Sequence, residues 1–314
     1  MDNKTKKPLG SRLMSAVPAV SLICGLLAAL IRIMQGKAEG AAENSLASFL
    51  PFIVLAVSAI FMVIALALGN KRLWLKESGE FLKIKQMIPP AMSLLAGLLI
   101  IADYGVLLYR AMTANSAEQI QPVFLVIAIL GVLSGVFFIF NAYMFYVGHS
   151  KFRKISFLAV IPSVWIIILL SVTFMKLSTI ANISAYYYDI VAYCAMLVFL
   201  FSYAKAVASM GKPKILFVSG ALFTSCALAA TLPRIFMWEF LTLTAEDVAF
   251  SPLMVFAVLA LALFAEESLG TMLNYDADAP VAAKEQANKD SDGETASEQA
   301  VDNVTEGVSE NIEE

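Results

Sequence analysis

The sequence predicts an all-α, polytopic transmembrane helix bundle of about eight spans, with both termini in the cytoplasm and a disordered acidic C-terminal tail. Three observations carry this expectation. The chain of 314 residues is 60% hydrophobic and 15% charged, whereas a soluble domain carries about 25% charged residues. Its apolar residues fall in blocks of roughly 20, the length a helix needs to cross about 30 Å of hydrocarbon. Lys and Arg gather in every second connection, as short cytoplasmic loops require. The alternating short segments of a membrane β-barrel are absent from the sequence, and the mean hydropathy is +0.78.

The spans read in order as 16–34, 48–69, 88–112, 121–148, 156–177, 186–206, 215–237 and 251–266. The first, with its Lys-rich flank, resembles a signal peptide in outline. Its apolar run is too long for one, and Arg32, Lys37 and Glu39 precede any cleavage site, so it reads as a retained span. Pro51, Pro122 and Pro252 fall in the first turns of spans two, four and eight, where a missing N–H costs nothing. Pro89 and Pro90 open span three. Pro162 reads as lying inside span five and Pro233 near the outer end of span seven, so kinks are expected there. Span four aligns Ala128, Gly131, Gly135 and Ala142 on one face, a pattern for close helix packing. Asn141 and Ser134, on a neighbouring face, are expected to hydrogen-bond across a helix pair. Ala-Val-Pro-Ala-Val in span one and Val-Ile-Pro-Ser-Val in span five hint at a repeat of two four-helix halves.

The basic connections contain Lys71, Arg72, Lys76, Lys83 and Lys85, then Lys151, Arg153 and Lys154, then Lys205, Lys212 and Lys214. The intervening ones carry Glu39, Glu43, Glu118, Glu246 and Asp247. The alternation places both termini inside a plasma or inner membrane. Domain organisation follows: a bundle over 1–273 and an acidic cytoplasmic tail over 274–314. From Asp276 onward 12 acidic residues face only Lys284 and Lys289, a net of −10, which leaves +7 for the rest of a chain whose total is −3. Such a tail cannot bury enough apolar surface to offset its ordering entropy. It reads as a solvating segment or as a docking site for a basic protein partner. The expected partners are thus the lipid bilayer, a small solute and a protein on the tail, with no support for nucleic acid.

No established catalytic motif occurs: there is no Walker A loop, no Gly-x-Ser-x-Gly and no His-Glu-x-x-His. Cys24, Cys194 and Cys226 lie in apolar blocks, where thiols act as small hydrophobes. The single histidine, His149, sits at a span end beside Lys151 and Arg153. The expectation is a protein that is not an enzyme and holds no metal or cofactor.

What remains is charge inside the spans, which is costly in lipid and points to function. Asp103 lies a few residues past the middle of span three, and Arg110 follows seven residues on along the same face. Asp189 lies one turn inside span six, with Tyr193 one turn further. Lys176 and Arg234 end spans five and seven on the same outer side. Span seven also carries a stripe of small and polar residues, Gly220, Thr224, Ala227, Thr231 and Arg234. One reading makes Asp103, Arg110, Lys176, Asp189, Arg234, Thr224 and Thr231 a substrate-binding pocket open to the outside. The other makes the cations helix-end caps that offset the dipole or snorkel to the headgroups, and the stripe a packing seam. Asp103 is too deep for an end cap and needs a donor, water or a proton. The two functional classes are therefore a solute-binding or transport protein and a non-transporting scaffold or envelope-assembly partner.

The stretch from Ile161-Pro162-Ser163-Val164-Trp165 through Thr231-Leu232-Pro233-Arg234 resembles bacterial multi-pass membrane proteins. No activity attaches to that family, so the resemblance implies a membrane location and no chemistry.

Overall fold

Hydrocarbon offers no partner for a peptide N–H or C=O, so each apolar block closes its hydrogen bonds within itself as a helix. The computed structural model describes residues 9–37, 49–68, 88–113, 122–147, 156–177, 186–208, 210, 212–237 and 251–274. Within them lie α1 (Leu9–Lys37), α2 (Leu50–Leu68), α3 (Ile88–Thr113), α4 (Pro122–Val147), α5 (Ile161–Leu177), α6 (Tyr187–Val207), α7 (Pro213–Phe236) and α8 (Pro252–Asn274). All are long and apolar enough to cross a membrane, α5 together with the 3-10 turn at residues 156–160. Among the described residues there is no strand. The chain is a multi-pass membrane protein. Apart from Asn274, which ends α8, the acidic tail lies outside the described residues, as do His149 and nearly all of the loop charges that set the expected orientation.

Large side chains such as Ile23, Leu30, Val57, Ile60, Leu98 and Val136 face outward, an arrangement acyl chains satisfy and water penalises. Inside, α7 is the hub: 78% of its most apolar stretch is buried, against 28% in α2 and α3. Helices α1 and α6 pack along α7, and α2 packs on both α1 and α7. On the other side α3 pairs with α4, α4 with α5 and α5 with α6. Helix α8 ties the two sides together. It reaches α1 and α7 through Glu266 and Leu269, α4 and α6 through Phe264, and α3 through the serine before its first residue. This order does not divide into α1–α4 and α5–α8, so the expected two-half repeat does not organise the packing.

The glycines of span four act as expected. A Cβ on Gly135 would stand 2.8 Å from the Gly97 carbonyl oxygen, and one on Gly97 would stand 2.7 Å from that of Gly135. Both distances are closer than real Cβ atoms approach, so the two backbones meet only because both residues are glycine. At Gly131 a Cβ would run into the Tyr104 ring; the missing side chain is the seat for the tyrosine. Asn141 does cross helices, donating to Ser93 Oγ at 3.1 Å and accepting from the Tyr203 hydroxyl at 2.6 Å. Ser134 does not, since its hydroxyl bonds back to the Leu130 carbonyl of its own helix.

Two punctuation readings change. Pro162 lies in the first turn of α5, after the 3-10 turn, so its missing N–H interrupts no ladder. Pro233 is inside α7 and leaves the Ala229 carbonyl without its usual donor. Arg32 supplies the replacement: its Nη1 donates to Ala229 O at 2.6 Å, and its guanidinium lies over the Tyr188 ring at 3.9 Å. The charge at the end of α1 thus closes a gap that a proline opens in α7. Finally, α8 continues to Asn274 rather than ending at Glu266.

Candidate functional site at one end of the bundle

Helices that alternate in direction bring the C-terminal ends of α1, α3, α5 and α7 beside the N-terminal ends of α2, α4, α6 and α8. Opposite charges are stabilised at those two kinds of terminus, anions at the first turn and cations at the last. Asp189 is in the first turn of α6 and Arg234 in the last turn of α7. Arg234 Nη2 donates to Asp189 Oδ2 at 2.6 Å, with side chains only 5% and 10% exposed. The guanidinium also lies 5.8 Å from the centre of the Tyr186 ring. In low dielectric a geometry this short is favourable chiefly because both charges would be costly alone.

Asp103 belongs to the same end but to a different arrangement. Its Oδ1 accepts a hydrogen bond from the Ser251 hydroxyl at 2.5 Å. The same serine oxygen accepts from the Met254 N–H at 3.1 Å, which makes Ser251 the N-cap of α8 with Pro252 as its first residue. Asp103 is deep along α3, yet it stands at the start of another helix. The positive end of the α8 dipole faces it, and the donor it was expected to need is a capping hydroxyl. The residue as a whole is partly buried.

Between the two acids lies a layer of aromatic side chains. Tyr193, one turn in from Asp189, is buried and within electrostatic reach of Asp189, Arg234 and Asp103. Tyr104 packs edge-on against Trp165 with ring centres 5.5 Å apart. Their polar atoms, Tyr104 Oη and Trp165 Nε1, are buried without a well-aligned hydrogen bond.

The remaining residues of the expected pocket do not join this layer. Arg110 is exposed, two turns beyond Asp103. Lys176 falls near the end of α5, and its side chain lies outside the described residues. Thr224 donates to the Gly220 and Ala262 carbonyls, at 3.0 and 3.2 Å, and Thr231 donates to Ala227 O at 2.8 Å. The stripe of α7 is buried from Gly220 to Arg234, with Leu269 of α8 closing on Gly220. It forms a packing seam along most of its length and meets the charged layer at Arg234.

Glu266 escaped the sequence reading because the Glu266-Glu267 pair looks like the end of a span. The signal was present: Leu269 and Leu273 continue the apolar face of Glu266 by three and seven residues. Among the described residues no cluster of three or more His, Cys, Asp or Glu forms a metal site. No family model, curated protein or solved structure matches the chain.

Proposed function

We propose that this chain is a plasma- or inner-membrane protein, with both termini cytoplasmic, that binds or transports a small solute at the outward-facing polar layer around Asp103. The observation that supports it most is the state of Asp103: a partly buried residue whose carboxylate is held by a serine hydroxyl at a helix N-terminus, with no ion pair to it among the described residues. Such a group keeps lone pairs for a cationic or proton-bearing ligand. Asp189 and Arg234 enter this reading as a fixed pair that shapes the wall, and Arg110 as a charge at the mouth. No bond-making chemistry is assigned to the site.

The alternation of basic and acidic connections supports the orientation. Single cysteines at Glu118 and Asn182 should react with a membrane-impermeant reagent from outside, and ones at Ser78 and Ser150 from inside. For function, purified protein in liposomes holding a pH-reporting dye can be challenged with small cations, anions and zwitterions. A solute-dependent signal that Asp103→Asn abolishes is the expected result; flux unchanged by that substitution removes Asp103 from the reading. The scaffold reading is favoured by the seam of α7, whose hydroxyls are satisfied within the bundle. It predicts that no solute gives a signal and that Asp103→Asn is silent.

A further inference from the structure

Glu266 lies in the middle region of α8, away from the charged layer, and the residue is 8% exposed. Its Oε2 is 3.0 Å from the Ser21 hydroxyl of α1, and the Thr224 hydroxyl of α7 stands beside the same carboxyl. Its Oε1 is buried and has no hydrogen-bond partner among the described residues. A carboxylate in this position would need donors or a counter-charge. The hydroxyls around it are poor donors, because each has only one proton and each has a backbone carbonyl at hand. Ser21 Oγ lies 2.7 Å from the Pro18 carbonyl oxygen, closer than it is to Glu266. Thr224 is directed at the carbonyls of Gly220 and Ala262. Ser21 Oγ is placed to donate to Glu266 Oε2, but a hydroxyl whose single proton goes to a backbone carbonyl instead offers the carboxyl a lone pair, and a lone pair needs a proton donor.

We propose that Glu266 is a proton-binding site in the membrane interior, its carboxyl O–H held between the hydroxyls of Ser21 and Thr224. Uptake converts the carboxylate to the neutral acid with a proton from water, and release reverses it; no other bond changes. In the neutral form the acid proton goes to a hydroxyl oxygen and the hydroxyl protons go to backbone carbonyls; one carboxyl oxygen stays an acceptor without a donor, which costs far less than a bare buried charge. The other ionisable groups of the neighbouring helices do not supply a counter-charge. On α1 they are Cys24, Arg32, which is committed to Ala229 and Tyr188, and Arg12 and Lys37, which fall towards opposite ends of the helix from Ser21. On α7 they are Cys226, buried, with Lys214 and Arg234 towards opposite ends of the helix. On α6, Tyr187, Tyr188, Asp189, Tyr193 and Cys194 fall towards the end that carries the Arg234 pair, Lys205 lies over Phe201 and Tyr203 bonds Asn141; α2 has none. Tyr143 and Tyr146 on α4 are exposed and uncharged, and on α8 itself the neighbour is the exposed acid Glu267. Because the site joins α1, α7 and α8, its charge state bears on how these helices hold together. It does not depend on the solute reading, which concerns the other cluster.

Infrared difference spectroscopy of the full chain in lipid nanodiscs, titrated with pH, tests this by separating the carboxylic acid C=O stretch from the carboxylate bands. The expected result is a buried acid band at neutral pH that Glu266→Gln removes and Asp103→Asn leaves in place. Ser21→Ala and Thr224→Val should shift that band, which keeps the test open if Glu266→Gln does not fold. A band absent at neutral pH, or one unmoved by all three changes at the site, would overturn the proposal. So would loss of the band on adding sodium at constant pH, which would assign the oxygens to a metal cation instead.

Discussion

Two buried acids in this bundle meet different fates. Asp189 lies where α6 begins and α7 ends, and there an arginine faces it at 2.6 Å. Glu266 lies in the middle region of α8, and its hydrogen-bonding neighbours among the described residues are hydroxyls. The difference follows from where helices offer charge. Antiparallel neighbours place anion-favouring and cation-favouring termini side by side, so an ion pair at a bundle end is reinforced by both dipoles. Mid-helix positions have no such field, and a long cation reaching them would have to cross packed side chains. Neutralisation by a proton is the remaining route. Asp103 stands between the cases: well along α3, but at the N-terminus of α8 and held by its capping serine.

The strongest way to break this comparison is to remove one half of the ion pair. Arg234→Ala removes the ion pair from the buried Asp189, a change that costs about 3–5 kcal/mol, and thermal unfolding in detergent should show a large loss. Asp189→Asn combined with Arg234→Gln should recover a substantial part of it, since neither charge is then left unpaired. Equal damage in the double variant would mean the pair is held by packing and not by charge.

A second, smaller effect probes the wall beneath Asp103. Gly131→Ala pushes a methyl group into the Tyr104 ring, and overpacking of this kind costs about 1–3 kcal/mol. Trp165 fluorescence should change along with the melting temperature, because the two rings touch. At Gly270 nothing lies within 4 Å of an added Cβ, so Gly270→Ala should be close to neutral. A matching loss at both glycines would contradict the close fit at Gly131.

Removing the cap sharpens the account of Asp103. Ser251→Ala deletes both the α8 N-cap and the hydrogen bond to the carboxylate, about 1 kcal/mol for the cap alone. The loss should shrink when Asp103 is already Asn. Strict additivity would separate the residues energetically despite their contact.

The smallest contrast lies within α4. Asn141→Ala loses bonds to Ser93 and Tyr203, and interhelical hydrogen bonds in membranes are worth about 0.6–1.7 kcal/mol. Ser134→Ala loses only a bond to its own backbone and should not register in the same assay. Reversed effects would show that packing outweighs hydrogen bonding at both positions.

The eight helices were legible in the sequence because hydrocarbon thickness imposes one length and one composition on every block. Close packing at Gly131 and Gly135 was legible too, since small residues one turn apart have few other uses in a membrane helix. The charges of the candidate site could be found by their cost in lipid, but their pairing could not. Whether Arg234 meets Asp189 or Asp103 depends on helix rotation and vertical offset, which no one-helix pattern encodes. Asp103 looked isolated because the sequence does not reveal that α8 begins beside it. Glu266 was hidden for the opposite reason: a neighbouring exposed acid made it resemble a span end. Arg32 answers the Ala229 carbonyl, 197 positions away and freed by Pro233, a relation only the folded chain contains.

The claim that Asp103 opens to the outer side can be tested by a single labelling measurement. In a chain lacking Cys24, Cys194 and Cys226, Asp103→Cys and Glu266→Cys are each exposed, in sealed and oriented vesicles, to a membrane-impermeant thiol reagent. The account predicts rapid labelling at position 103 from the outer side, slowed by any solute that binds there, and none at position 266. Labelling at 103 from the inner side alone, or no labelling at 103 from either side, would contradict it.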